Sequence, residues 1–142
     1  MSSFAAATLS ALLLAAPGQA PKTEWAAPKE EKTKVNPVRA SEESLKKGRS
    51  LYQQHCAMCH GDKGKGDGPA ARLHAKRSNH APKDLTSAKT QAVLSDGEIF
   101  WKLSLGFKLD GKIIMPPFAD EIPKEEDRWK LVNFVRSFGQ ED

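Results

Sequence analysis

"QHCAMCHGDKGKGDGPAA", residues 54–71, holds Cys56 and Cys59, the only two cysteines of 142 residues, and His60 follows the second directly. Two thiols and an imidazole set this close together admit three chemistries. They are a disulfide or redox dithiol, part of a zinc site, or a covalent haem attachment in which the thiols add to the porphyrin vinyls and the histidine binds iron.

A tetrahedral zinc site wants four ligands, usually as two separated pairs, and the chain has no second cysteine pair. A thioredoxin-like dithiol sits where a hydrophobic strand runs into a helix, whereas "EESLKKGRSLYQQH", residues 42–55, reads as an amphipathic helix. Haem attachment uses every residue of the motif. Its two-residue gap puts both sulfurs on one face of a helical turn, with His60 pointing under the ring centre.

Iron held by one histidine takes a sixth ligand or is left open, so a soft donor is sought downstream. Of the three methionines, Met1 is the initiator and Met58 lies between the cysteines, tied too close to reach the opposite ring face. Met115 in "KIIMPPF" remains, and the proline after it favours extended backbone, which predicts a stiff loop with a projecting side chain. A lone methionine is also an ordinary packing residue. His74 or His80 is the alternative sixth ligand, and His55 reads as a solvated histidine.

With "CAMCH", "GDGPAA" and "MPPF" in this order, the segment Ser41 to Phe138 resembles the class I monohaem cytochromes c of bacterial type. The resemblance implies the all-α cytochrome c fold, small helices and long loops wrapped around one haem c. Cys56 and Cys59 would hold it through thioethers, and His60 and Met115 would be the axial ligands. It also implies that Pro69 offers its carbonyl to the other imidazole nitrogen of His60, a contact that fixes the ring. Gly48 and Tyr52 would meet Leu131 and Phe134 where the first and last helices cross. Tyr52, Trp101 and Phe118 are candidate haem-packing residues, with Trp129 a further one, while Phe134 and Phe138 read as core.

The residues support a helical domain independently. Ser41 is an N-cap, Glu42 and Glu43 sit at the positive end of the dipole, and Leu45, Gly48 and Tyr52 share a stripe. Ser95 and Glu98 have capping-box spacing ahead of an apolar run that ends at Gly106. A last helix is expected from Pro123, with Glu125, Glu126 and Asp127 in its first turn and Gly139 closing it. The apolar runs "AVL" and "KIIM" are too short to require strands. Residues 61–85 read as a long loop with at most one helical turn at Ala70 to His74.

Residues 1–20 carry no charge and an Ala/Leu-rich run ending in "PGQA", which resembles a secretory signal and predicts an exported, periplasmic protein. The run is too short to span a bilayer as a standard helix. Residues 21–40 mix charge with three prolines and read as a flexible linker, leaving 41–142 as the cytochrome c domain.

The net charge of +4 comes from basic residues interleaved with acids, without an aromatic-basic pattern, so nucleic acid is not the expected partner. Lys63, Lys65, Arg72, Lys76, Arg77 and Lys83 crowd the loop after the haem motif, with Lys108 and Lys112 before Met115. They would suit an acidic face on a redox partner. The expected function is electron transfer between respiratory or periplasmic redox proteins, not catalysis. The alternatives are a haem subunit of a larger oxidoreductase, or a gas-binding or catalytic haem protein with a displaceable Met115.

Overall fold

Ser41 caps the first long helix as expected, its hydroxyl accepting from Ser44 N while the Ser44 hydroxyl accepts from Ser41 N. In this computed structural model, which describes residues 25–140, the elements run α1 (Lys29–Lys32), α2 (Glu42–His55), α3 (Ala57–His60), α4 (Ala71–Ser78) and α5 (Ala88–Val93). They continue as α6 (Asp96–Leu105), β1 (Phe107–Leu109), β2 (Lys112–Met115) and α7 (Glu125–Ser137). The expected signal segment lies outside the described residues.

The core forms where α2 crosses α7. Leu51 and Tyr52 of α2 are buried with Leu131, Val132 and Val135 of α7, and Phe100 of α6 stacks on Trp129 of α7 with ring centroids 4.0 Å apart. Gly48 makes the crossing close. A Cβ at that position would run into the Lys130 carbonyl oxygen and stand 2.8 Å from Phe134 Cβ. The glycine that weakens α2 locally is what lets the two backbones meet.

Partly buried polar groups tie the other elements to α7. Arg136 Nε donates to Asp96 Oδ1 at 2.6 Å, and its Nη1 donates to the Gln91 carbonyl at 2.8 Å, which fixes the start of α6 and the end of α5. Ser95 caps α6 by accepting from Glu98 N at 3.1 Å, and Gly106 ends it. The last helix starts later than expected. Lys124 is its N-cap, so Pro123 lies outside the helix, and Phe138, not Gly139, is its C-cap.

Three further expectations are corrected. The run "KIIM", too short to require a strand, is β2 of an antiparallel hairpin over residues 107–115 in which Phe107 pairs with Met115 and Leu109 with Lys112. The turn is Asp110–Gly111, both at positive φ, the chemistry a two-residue hairpin loop demands. Met115 is therefore the last residue of a strand and not a member of an irregular loop. The stretch 61–85 holds two turns of helix in α4, ended by Asn79 in the left-handed region, where one turn was expected.

Residues 25–40 are the largest departure, because they are no linker. Ala27 is buried, Trp25 stacks on Phe107 with centroids 5.0 Å apart, and Asn36 Nδ2 donates to the Trp129 carbonyl at 3.0 Å and to Asn133 Oδ1 at 2.8 Å. Asn133 Nδ2 returns a bond to the Val38 carbonyl at 3.0 Å. The segment is a strap laid over α6, β1 and α7. Its charge and prolines face outward while a few apolar and amide groups do the docking.

Replacing Gly48 by alanine tests the crossing. Alanine raises helix propensity, yet overpacking of this kind costs about 1–3 kcal/mol, so the variant should be less stable in chemical denaturation. Ser50→Ala, exposed on the same helix, should be neutral or slightly stabilising.

Candidate functional site

The site is built from α2 forward. Tyr52 is fully buried, its ring 5.3 Å from that of Phe134 and 5.1 Å from that of Phe138, and its hydroxyl donates to the Gly61 carbonyl at 2.7 Å. Burial holds the Tyr52 phenol neutral, with its pKa well above the usual range. The residue directly after His60 is thus pinned to the helix crossing. Tyr52, expected among the haem-packing residues, belongs to this core and acts by fixing Gly61.

Cys56 ends α2, and the single turn α3 follows it. The His60 amide donates to the Cys56 carbonyl at 2.9 Å, so both cysteines and the histidine sit on one helical turn. The loop that follows folds back on this turn. Gly66 N donates to the His60 carbonyl at 2.8 Å, Gly68 N to that of Cys59 at 3.1 Å, and Ala70 N to that of Met58 at 2.9 Å. The carbonyls a short helix leaves open are satisfied by the loop itself.

His60 Nδ1 lies 3.1 Å from the carbonyl oxygen of Lys83. A carbonyl only accepts, so Nδ1 carries the proton and Nε2 keeps its lone pair for a metal. Burial lowers the His60 pKa, with the Lys83 bond partly opposing it, so the ring is a neutral donor at neutral pH. The acceptor is Lys83 and not the expected Pro69. Pro69 is exposed, lining a groove of about 500 Å³ with Gln53, Met58 and Asp62. The Leu85 amide donates to the Gly64 carbonyl at 2.7 Å and seats the Lys83 backbone against the loop.

Cys56 and Cys59 are not bonded to each other. Burial, followed by the neighbouring Cys59, pushes the Cys56 thiol up to about 12, and burial raises Cys59 too. A reactive dithiol has a depressed pKa, so this environment disfavours thiolate chemistry. Among the described residues no three His, Cys, Asp or Glu side chains form a metal-ion cluster, as a zinc site requires.

Met115 is half-buried and packs, like Cys56, against the main core. Its backbone meets the end of α6, where a Cβ on Gly106 would stand 2.5 Å from the Met115 carbonyl oxygen. Phe118 follows, its amide donating to the Leu103 carbonyl at 2.9 Å and its ring edge-on to His55 at 5.9 Å. Trp101 is half-buried on α6, and Trp129 is taken up by its stack on Phe100. His80 Nδ1 donates to the Ser78 carbonyl at 2.9 Å, a local turn bond.

Apolar side chains remain partly uncovered around these groups. Leu73 on α4 and Ile113 on β2 are each 53% exposed, on two elements in contact, and Leu105 at the end of α6 is 60% exposed. The residues therefore fit haem c. Two unpaired thiols flank a neutral imidazole whose tautomer leaves Nε2 available, a thioether packs on the same core, and apolar surface is present for a flat ring to cover. The sequence marks neither the Lys83 carbonyl nor Leu73 and Ile113 as parts of the site. A backbone acceptor has no side-chain signature, and single apolar residues in polar stretches carry no period.

These features define a c-type cytochrome domain, a class with covalently bound haem c. The chain belongs to the family described as "Cytochrome C oxidase, cbb3-type, subunit III", whose profile matches residues 43–135. Among solved structures it is similar to a chain of the "Kuenenia stuttgartiensis reducing HAO-like protein complex Kustc0457/Kustc0458" (30% identity, TM-score 0.57), over 72% of this chain and 46% of that one. It thus spans less than half of that relative's length. It is also similar to "KustC0563 c-type cytochrome" (29% identity, TM-score 0.47, 64% of this chain and 95% of that one). A search of curated proteins gave no match.

Thioethers survive where coordination bonds do not. After denaturation and acid-acetone extraction of the native protein, colour should stay with the polypeptide, and Cys56→Ala with Cys59→Ala should release it to the organic phase.

Proposed function

We propose that this domain relays single electrons through one haem c held between His60 and Met115. Bound there, haem c supplies reversible one-electron exchange between ferrous and ferric iron. The observation that carries the reading is the Lys83 carbonyl bond, which orients His60 and leaves Nε2 as the donor. Cys56 and Cys59 would anchor the group to α2 and α3, so it would stay through repeated redox cycles. Met115 would offer a thioether to the iron, which would favour the reduced state and keep substrates from the metal. With His60 and Met115 both committed to the iron, the protein would act as a carrier rather than a catalyst.

Its partners are redox proteins with acidic faces. Lys63, Lys65, Arg72, Lys76, Arg77 and Lys83 are all exposed on the loop and helix that follow His60, and Lys108 and Lys112 are exposed on the Met115 hairpin. Similarity to a chain of a larger protein complex supports a role inside an oxidoreductase assembly. The uncharged apolar start at residues 1–20 supports export, with the mature chain beginning near Pro21. Among the described residues no helix is long and apolar enough to cross a membrane.

Met115→Ala tests the carrier reading. Haem should stay attached, while the weak red absorption that sulfur ligation gives the oxidised protein disappears and carbon monoxide binds the reduced protein readily. A parent that already binds carbon monoxide fast, and a variant no different from it, would place the protein with gas-binding or catalytic haem proteins.

Electron transfer to the physiological acceptor should slow as ionic strength shortens the Debye length to about 10 Å at 0.1 M. Lys76→Glu and Arg77→Glu should each slow it at low salt. Rates flat with salt and indifferent to both reversals would exclude a basic docking face.

A further inference from the structure

The strap at residues 25–40 is not required by the relay just described, and its neighbours point to a specific task. We infer that it is a positioning device for Met115, and that Trp25 is its working residue; the inference rests on Met115 as axial ligand.

Trp25 lies flat on Phe107, with centroids 5.0 Å apart and planes 14° from parallel. Phe107 is the residue paired with Met115 across the hairpin, and the pairing is irregular between Phe107 and Lys108. A two-stranded hairpin has marginal stability by itself. Strands of three and four residues with a register irregularity at the Met115 end need an external clamp to hold one geometry. Trp25 supplies it from one side, while the end of α6 meets the Met115 backbone from another.

The strap is itself anchored at several points. The Lys102 ammonium stands 5.0 Å over the Trp25 ring and 2.9 Å from Glu98, which is buried, and so links the tryptophan to α6. Lys32 reaches the same Glu98 at 4.0 Å. Gly97 leaves room for the Glu31 carbonyl and for Lys34, whose Cβ would be 2.9 Å from a Cβ at that position. Asn36 and Asn133 lock the far end to α7 through the bonds already described. A segment fastened at both ends holds its aromatic tip against Phe107 with little ordering left to supply.

The mechanical consequence concerns the sulfur and not the fold. Because Phe107 of β1 is paired with Met115 of β2, a shift of β1 frees or drags the Met115 backbone, so the population of states with the thioether displaced depends on the Trp25–Phe107 stack. Aromatic pairs of this kind couple by about 0.5–1.5 kcal/mol, equivalent to a change of about two- to tenfold in such a population. The contacts of Trp25 are with Phe107 and Lys102, on β1 and α6, so removing it should leave the His60 side as it is.

The experiment compares holoprotein of the parent with Trp25→Ala, Trp25→Phe and Lys102→Gln. Three measurements are made: the red sulfur-to-iron absorption across pH, the rate at which added imidazole displaces Met115 in the oxidised protein, and thermal unfolding by far-ultraviolet circular dichroism. Trp25→Ala should speed imidazole binding about two- to tenfold and lose the red absorption at lower pH while the protein is still folded. Trp25→Phe should restore most of the parent's behaviour, and Lys102→Gln should fall between. A parent that shows the red absorption and a Trp25→Ala variant with unchanged imidazole kinetics would overturn the inference and leave Met115 ligation standing. A lower unfolding temperature with unchanged ligand exchange would likewise reduce the strap to a stabilising role and overturn it. A parent without the red absorption would remove Met115 as ligand, and with it both readings.

Discussion

The closeness of α2 to α7 at Gly48 is the constraint from which the site follows. Because no Cβ stands between the two helices, Tyr52, one turn along α2, is driven into the space between Phe134 and Phe138 and loses its contact with water. A buried hydroxyl must find a partner, at a penalty of about 1–3 kcal/mol if it does not, and the one it finds is the Gly61 carbonyl. Packing between helices is thereby converted into a fixed position for the backbone just after His60.

From that fixed point the rest of the His60 side is local. The loop from Gly61 to Ala70 spends its amides on the carbonyls of Met58, Cys59 and His60, and the chain returns through Lys83 to hold the imidazole. Using Lys83 in place of Pro69 has a structural logic. Pro69 lies where the loop turns away on the outer side of α3, beside Met58 and Asp62, whereas the returning segment passes the ring. The chemistry demanded of the contact, a carbonyl on Nδ1, is met from a different part of the chain.

The helices α2, α6 and α7 were legible in the sequence because caps and apolar spacing act within a few residues, and Cys56, Cys59, His60 and Met115 stood out as candidates because the haem reading gives each of them a use. The hairpin was not legible, because its strands, of three and four residues, are too short for alternation to register. The strap was misread for a related reason. Charge and proline describe its exposed face, while docking rests on Trp25, Ala27 and Asn36, whose partners lie far along the chain or on elements with no local cue. Asn36 meets Asn133 and Trp129 only after α7 has packed.

The two sides of the site are therefore built on different principles. On the His60 side the cysteines, the histidine and most of the loop contacts are near neighbours in sequence, so their closure costs little chain entropy and they form a compact unit. The Met115 side is assembled from distant pieces: a hairpin, the end of α6, and a strap whose docking joins residues 25–38 to α6, β1 and α7. Contacts of that kind are lost together when any one element loosens, and local opening begins where they are fewest. In the proposed relay, thioethers at Cys56 and Cys59 would keep the group on α2 and α3, so the fold would give its adjustable half to Met115 and its compact half to the cysteines and His60.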